Sequence, residues 1–372
     1  MHFKCNVCAS VRVGRSLTRG DGRNVLFCEN CDMGVVEVVP EDTSVFYEDT
    51  YYGASNADEV GYHDYEFTAD HSLLWVKLVL EAISPAGRIL DIGCANGHLL
   101  RSLNGDYERF GIEVNAAAAG VAQQRGVAVI ASDVFDPAVS NQTHGSFDFI
   151  TSIATFEHVN DFRGAFDVSL KSLRPDGILI FEVPLMSYTR DNKDWLESSY
   201  EHVYYPTVKG LEALFKEFPD HQFTGFESDI AGYSSTYIGV AARDPAVFAR
   251  VSQLLEAMTR PSPAGLSDEE TCINLAYNVV HSFTVTADRI LALPTLVKHA
   301  YSFNLVKRLT QLWHADRVVA DNAGGALESA KWHEQQAKNW QHEWDRLHHD
   351  TENLKATNAA MYKQLQSLMN PS

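Results

Sequence analysis

The chain is 372 residues long, 45% hydrophobic and 21% charged, enough for one main domain of ordinary globular composition with appendages at its ends. Its formal net charge of −19 would repel a phosphate backbone, and no Lys/Arg-rich run offsets it, which argues against sequence-general nucleic-acid binding. The start has no charged-then-apolar leader and no run of about 18 apolar residues occurs, so a cytoplasmic chain without a membrane span is expected.

Residues 1–43 carry Cys5-Asn6-Val7-Cys8 and Cys28-Glu29-Asn30-Cys31 among short alternating runs punctuated by glycines. Two such pairs joined by a hairpin have the spacing of a zinc ribbon, with Cys5, Cys8, Cys28 and Cys31 as ligands. Four thiolates leave no open coordination position, so the expected Zn²⁺ is structural. A redox dithiol is the rival reading, which the second pair disfavours. Cys94 and Cys272 are left over and read as small buried apolar residues.

From 44 to 67 the chain is aromatic and acidic, with Tyr47, Tyr51, Tyr52 and Tyr65 as candidates either to close over a ligand or simply to pack. A helical apolar face through Leu73, Leu74, Val76, Leu80 and Ile83 follows, ended by Ser84-Pro85-Ala86-Gly87. Beyond it strands near 88–93, 107–113, 127–131, 147–153, 177–182, 222–230 and 233–242 alternate with helices near 95–103, 115–125, 161–173 and 207–217. Such alternation predicts an α/β domain over 44–243, built on a doubly wound, mainly parallel seven-stranded sheet.

The first of these strands ends in Asp91-Ile92-Gly93-Cys94-Ala95-Asn96-Gly97 and opens a helix. A ligand lying across the carboxyl ends of parallel strands needs small residues here, because the backbone must approach it closely and then turn. Glu113 ends the next strand about 20 residues on, where a carboxylate can accept both hydroxyl protons of a ribose. A nucleoside-bearing cofactor is implied. Asp91 would repel a pyrophosphate but suits an ammonium group, which disfavours a dinucleotide.

This run resembles motif I of the class I S-adenosylmethionine-dependent methyltransferases, with Ala95 in place of the frequent middle glycine. The resemblance covers about 70–243 and implies a Rossmann-like methyltransferase fold. It implies that Asp91, Gly93, Ala95 and Gly97 form the cofactor loop, that Glu113 binds the ribose and that Asp133 lies near the adenine amine. Phe147-Asp148-Phe149-Ile150, Phe156-Glu157-His158-Val159 and Leu173-Arg174-Pro175-Asp176-Gly177 fit the family's fourth strand, its following loop and its turn into the fifth. Taken singly, Asp133 could be a turn acid, and Glu157 and His158 could merely cap or line a loop.

Methyl transfer needs aligned donor and acceptor and a base if the acceptor is a hydroxyl or an acidic carbon. Tyr200-Glu201-His202, ahead of Tyr204-Tyr205-Pro206-Thr207, resembles a segment of methyltransferases acting on sugars and other small metabolites. The sugar C-methyltransferases among them carry an N-terminal zinc module and use a Tyr-x-Glu-His arrangement, from which Tyr200 departs by one residue. His202 is the candidate base, with Glu201 orienting it or capping the next helix, and Tyr200 as an accessory.

Residues 244–321 read as a helical extension. In 322–372, Trp340, Leu347, Leu354, Met361 and Leu368 recur every seven residues, with Asn358 at a seam position. This is the pattern of a coiled coil, for a homodimer or a partner protein, or of one long helix packed on its own domain. Its composition resembles the tails of bacterial methyltransferases encoded for cell-surface glycan assembly. The expected activity is methylation of a small molecule, a sugar or glycan in polysaccharide biosynthesis, on oxygen or carbon. The alternative is a catalytically inactive cofactor-binding scaffold that recruits partners through its two ends.

Overall fold

The structure, a computed structural model, describes residues 3–278 apart from 41–42, 44–45, 48–64, 66–68, 70–71, 138, 140–142, 229–234, 261–264 and 275. The heptad segment, most of the helical extension, Tyr51 and Tyr52 lie outside the described residues.

Two sheets are present among the described residues. The larger contains β4 (Ala86–Ile92), β5 (Asp106–Ile112), β6 (Ala128–Ala131), β7 (Phe147–Ile153), β8 (Leu173–Pro184), β10 (Gln222–Ser228) and β11 (Thr236–Ala242) in the order β10-β11-β8-β7-β4-β5-β6. The five strands from β6 to β8 run parallel, and β11 and β10 are antiparallel additions at one edge. This is the doubly wound, mainly parallel seven-stranded sheet of a Rossmann-like fold. The chain leaves β4 toward β5 and β6, then returns to lay β7 on the other side of β4. That reversal opens a crevice beyond the carboxyl ends of β4, β5 and β7.

Both faces of the sheet are covered, which is why its strands are apolar almost throughout. Along β8, Leu179 and Phe181 enter one core and Ile178 and Ile180 the other. The first core includes Phe162 and Phe166 of α4 (Phe162–Ser172) and Leu211 and Leu214 of α6 (Val208–Phe215). Trp75, Val79 and Leu80 of α1 (Leu74–Ile83) and Leu254 and Met258 of α7 (Pro245–Thr259) build the second. Most boundaries differ from the sequence expectation by a residue or more, and two of the differences change how the sheet is built. Pro175-Asp176-Gly177 lies within β8 as a register break against Phe147 and Phe149, rather than ahead of the strand, and the last strand begins at Thr236 rather than 233.

The smaller sheet is antiparallel, with β1 (Val13–Thr18), β2 (Asn24–Cys28), β3 (Gly34–Val36) and β9 (Tyr204–Tyr205). Its fourth strand comes from the loop region of the α/β domain. Gly34 pairs with Tyr205 and Val35 with Tyr204, and Cys5, Met33 and Val36 join the first core. The cysteine-bearing segment is therefore packed into the main domain.

Candidate active site

The crevice holds a cavity of about 330 Å³ whose walls include Gly93, Ala95, Glu113, Asp133, Thr155 and His158, with Tyr47 and Tyr65 across from them. Every one of these residues follows the carboxyl end of a parallel strand except the two tyrosines, which come from the aromatic stretch.

The loop after β4 is shaped by close approach. Gly93 has φ +80°, and a Cβ there would overlap the Thr155 side chain. Gly97 has φ +75° at the N-cap of α2 (His98–Ser102), where a Cβ would come within 2.9 Å of Val127. Ala95 also takes a left-handed conformation, φ +47°. Its amide donates to Glu113 Oε2 at 2.8 Å, while Asn115 N donates to Oε1 at 2.8 Å, so the buried Glu113 ties the loop after β4 to the end of β5. Each carboxylate oxygen keeps a lone pair for a further donor. Asp91 is buried at the end of β4 and accepts from Thr151 Oγ1 at 2.7 Å. Burial raises its pKa to about 7, with Thr151 opposing and Glu113 adding to the rise. Asp133 is exposed on the cavity rim, its Oδ1 accepting from Phe135 N at 2.9 Å. Among the described residues lining the cavity there is no lysine or arginine.

Deeper in, two histidines and three carboxylates gather. His158 follows β7 in a short 3₁₀ turn (Phe156–His158), and its ring meets Tyr47 edge-on at 5.9 Å and His202 at 4.9 Å. Its Nε2 lies 3.4 Å from Glu157 Oε1, which is 4.0 Å from His202 Nε2. Glu157 is 1% exposed, His202 5% and His158 8%. Glu157 Oε2, Glu201 Oε2 and Nδ1 of both histidines have no hydrogen-bond partner. So many unpaired polar atoms in one buried cluster would be costly without a ligand to satisfy them.

The two imidazoles differ in electrostatics. For His158 burial works against the charged form, but Glu157 and Glu201 outweigh it and the pKa is raised. His202 is pushed well below its ordinary value by burial, His158 and Arg19. Burial also raises Glu201, and takes Glu182, at the end of β8, to about 7, with Thr236 opposing and Glu157 adding to the rise.

Gly93, Ala95, Glu113 and Asp133 thus share one cavity, with Asp91 and Gly97 supporting its loop. Glu201 and His202 stand behind His158 rather than on the cavity wall. The structure does not bring Tyr200 to this cavity: its hydroxyl donates to Glu197 O, and it lines a separate open cleft with Arg19 and Lys193. His158 was not among the residues singled out for catalysis from the sequence. Its signal was its place, directly beyond the carboxyl end of the strand beside β4.

The four cysteines form a second constellation. Cys5 and Cys31 sulfurs are 3.5 Å apart, as are Cys8 and Cys28, and all four lie within 4.8 Å of one another. Zinc with bonds of about 2.3 Å would set tetrahedral sulfurs about 3.8 Å apart, so the set fits that ion. The Cys31 thiol facing Cys5 holds its pKa down to about 5, so a thiolate forms readily.

Residues 68–218 match a family model described as a methyltransferase domain. A ubiquinone biosynthesis O-methyltransferase of Burkholderia vietnamiensis is 31% identical over 155 residues, which are 39% of this chain. The chain spans 61% of the length of that relative. Among solved structures, an S-adenosylmethionine-dependent methyltransferase of Thermotoga maritima is 18% identical with a TM-score of 0.36, covering 48% of this chain and 93% of its own. The plantazolicin methyltransferase BpumL, solved with S-adenosylhomocysteine, is 16% identical with a TM-score of 0.36, over 48% and 84%.

Proposed function

We propose that this chain is an S-adenosylmethionine-dependent methyltransferase acting on a small-molecule acceptor, a sugar or glycan, at oxygen or at an acidic carbon. The observation that carries the reading is the cavity itself, which Glu113 and the glycine-shaped loop line together with His158, whose neighbour Glu157 is buried beside it. The match over 68–218 to a methyltransferase domain supports it. The acids fit a cationic sulfonium and an amino-acid head group, and the lack of lining cations disfavours a diphosphate.

When bound, S-adenosylmethionine supplies an electrophilic methyl group on sulfur. Glu113 would accept from the ribose hydroxyls, Asp91 would support the ammonium end, and Asp133 at the rim would meet the adenine amine. Tyr47 and Tyr65, which line the cavity, would close over the cofactor. His158 would hold the acceptor proton: with Nε2–H directed at Glu157, its unpaired Nδ1 is free to take it, and Glu157 then stabilises the imidazolium. His202, with Glu201, backs this pair from behind as a neutral imidazole. The four cysteines would hold a structural Zn²⁺, and residues 322–372 would pair as a coiled coil with a second copy.

The test is calorimetry with S-adenosylhomocysteine, then incubation with labelled S-adenosylmethionine and a panel of nucleotide-sugars and glycans, with mass spectrometry of the products. Micromolar binding and a methylated saccharide are expected. Binding without turnover on any saccharide, lipid or protein acceptor would instead support a cofactor-binding scaffold, and no binding would overturn both.

A further inference from the structure

The segment Tyr200–Thr207 carries Glu201 and His202, yet α5 (Lys193–Glu197) and α6 leave it without regular structure of its own beyond the two residues of β9. The α/β domain holds it from within, Val203 N donating to Glu157 O at 2.8 Å and Met186 N to Pro206 O at 2.7 Å, and the N-terminal module holds it from outside. On one edge β3 pairs with β9, Val36 N donates to Val203 O at 2.9 Å, and the Thr207 hydroxyl donates to Asp32 O at 3.1 Å. On the other, the tip of the β1–β2 hairpin folds over the segment. Gly20 N donates to Leu196 O at 2.8 Å, and Tyr200 lies so close to Gly20 that a Cβ there would overlap its hydroxyl.

Arg19 sits at that tip and is 3% exposed, although arginine is rarely buried without partners that use its whole fork. One side of the guanidinium is taken by Asp21, through Nε at 3.1 Å and through Nη2. The other side leaves the module: Nη1 donates to the backbone carbonyl of His202 at 3.0 Å and to the Tyr205 hydroxyl at 3.1 Å. The same group lies 5.3 Å from the Tyr200 ring centroid. A neutral side chain would leave the buried His202 carbonyl without this donor. A Lys carries a point charge and cannot span both partners as the fork does.

We propose that the N-terminal cysteine module is a working part of the acceptor site, with Arg19 as a positioning residue that fixes His202 through its backbone carbonyl and Tyr205. Arg19 does not touch the cavity that would take the cofactor, so it acts on the acceptor side alone. The inference rests on the methyltransferase reading for the meaning of His202, but not for the contact itself.

The experiment uses the full chain, with histidine ring carbons labelled for NMR and the His202 signal identified by its loss in His202→Gln. In Arg19→Met the His202 ring signal is expected to shift and at least double in width. S-adenosylhomocysteine affinity should stay within twofold, and zinc content and the other histidine signals, apart from neighbouring His158, should be unchanged. Arg19→Lys should recover part of the His202 signal, and Arg12→Ala, an exposed residue beside the same hairpin, should leave it unmoved. A His202 signal superimposable on that of the unaltered protein would overturn the proposal. So would loss of all histidine dispersion together with S-adenosylhomocysteine binding, which would make Arg19 a general fold residue. Failure of the unaltered protein to bind S-adenosylhomocysteine would count against the methyltransferase reading while leaving the His202 signal readable.

Discussion

His158 and His202 stand 4.9 Å apart, yet their surroundings shift their basicity in opposite directions. Against the cost of burial, the carboxylates around His158 raise its pKa, whereas burial, His158 and Arg19 push His202 well below its ordinary value. A base that must take and hold a proton should therefore be His158. For an acceptor found in the saccharide panel, His158→Ala is expected to lower turnover by about 10²–10⁴-fold with S-adenosylhomocysteine affinity within threefold. His202→Ala, removing a residue behind His158 rather than on the cavity wall, should cost less turnover. Equal losses in both variants would refute this division of roles. Ala95 carries a second residue-scale prediction. Its left-handed backbone costs about 1–2 kcal/mol relative to glycine, partly offset by the extra unfolded-state freedom of glycine. Ala95→Gly should thus stabilise the protein by about 0.5–1 kcal/mol in urea unfolding, a gain that a strained loop alone explains.

Glu182 allows a test against pH. Burial raises its folded pKa from 4.5 to about 7, so the folded state binds a proton that the unfolded state has released between those values. Its contribution is therefore fully present below about pH 4.5 and is lost as pH rises toward 7, the reverse of a salt-bridged carboxylate. Glu182→Gln removes the titration. The variant should gain stability over the parent as pH rises from 5 to 8, by up to about 3 kcal/mol, read from urea midpoints at each pH. A constant difference across that range would show that Glu182 is not the titrating group.

Among the elements, the strand order and the loop after β4 were legible because they rest on local pattern. Apolar runs at the spacing of βαβ units specify a parallel sheet, and a glycine-rich turn between strand and helix specifies where a ligand approaches. The assembly of the acid–base cluster was not legible, because Glu157–His158 and Glu201–His202 are separated by a helix, a strand and a long loop. Tertiary contacts bring the second pair behind the first: the pairing of β3 with β9 and the bond from Val203 N to Glu157 O. The pattern Tyr200-Glu201-His202 could not reveal that its tyrosine turns away to Glu197. That pairing also yields a prediction. In the proposed zinc site the cysteine set would anchor β2 and β3, so Cys28→Ser should lower the one zinc per chain expected of the parent and raise amide exchange at Val36, whose bond to Val203 closes the seam. S-adenosylhomocysteine binding, expected in the cavity at the carboxyl ends of β4 and β5, should persist. Unchanged protection at Val36 would mean that the seam holds without the metal.

At the scale of the whole molecule, the α/β domain already buries both faces of its sheet, with α1 and α7 on one side and α4 and α6 on the other. In the proposed coiled coil, Trp340, Leu347, Leu354, Met361 and Leu368 would form a seam that needs a partner, and a second copy would supply an identical one. Asn358 in that seam lowers stability but favours one register, as a paired asparagine does in a two-stranded coil. The full chain should sediment as a dimer at micromolar concentration, and a chain ending after residue 321 as a monomer with unchanged S-adenosylhomocysteine affinity. Asn358→Leu should strengthen association while admitting higher oligomers. Because the chain carries a net charge of −19, two copies repel at low salt, so the dimer should tighten as salt rises toward 0.15 M. A monomeric full chain at every salt concentration would assign the heptads to packing on their own domain.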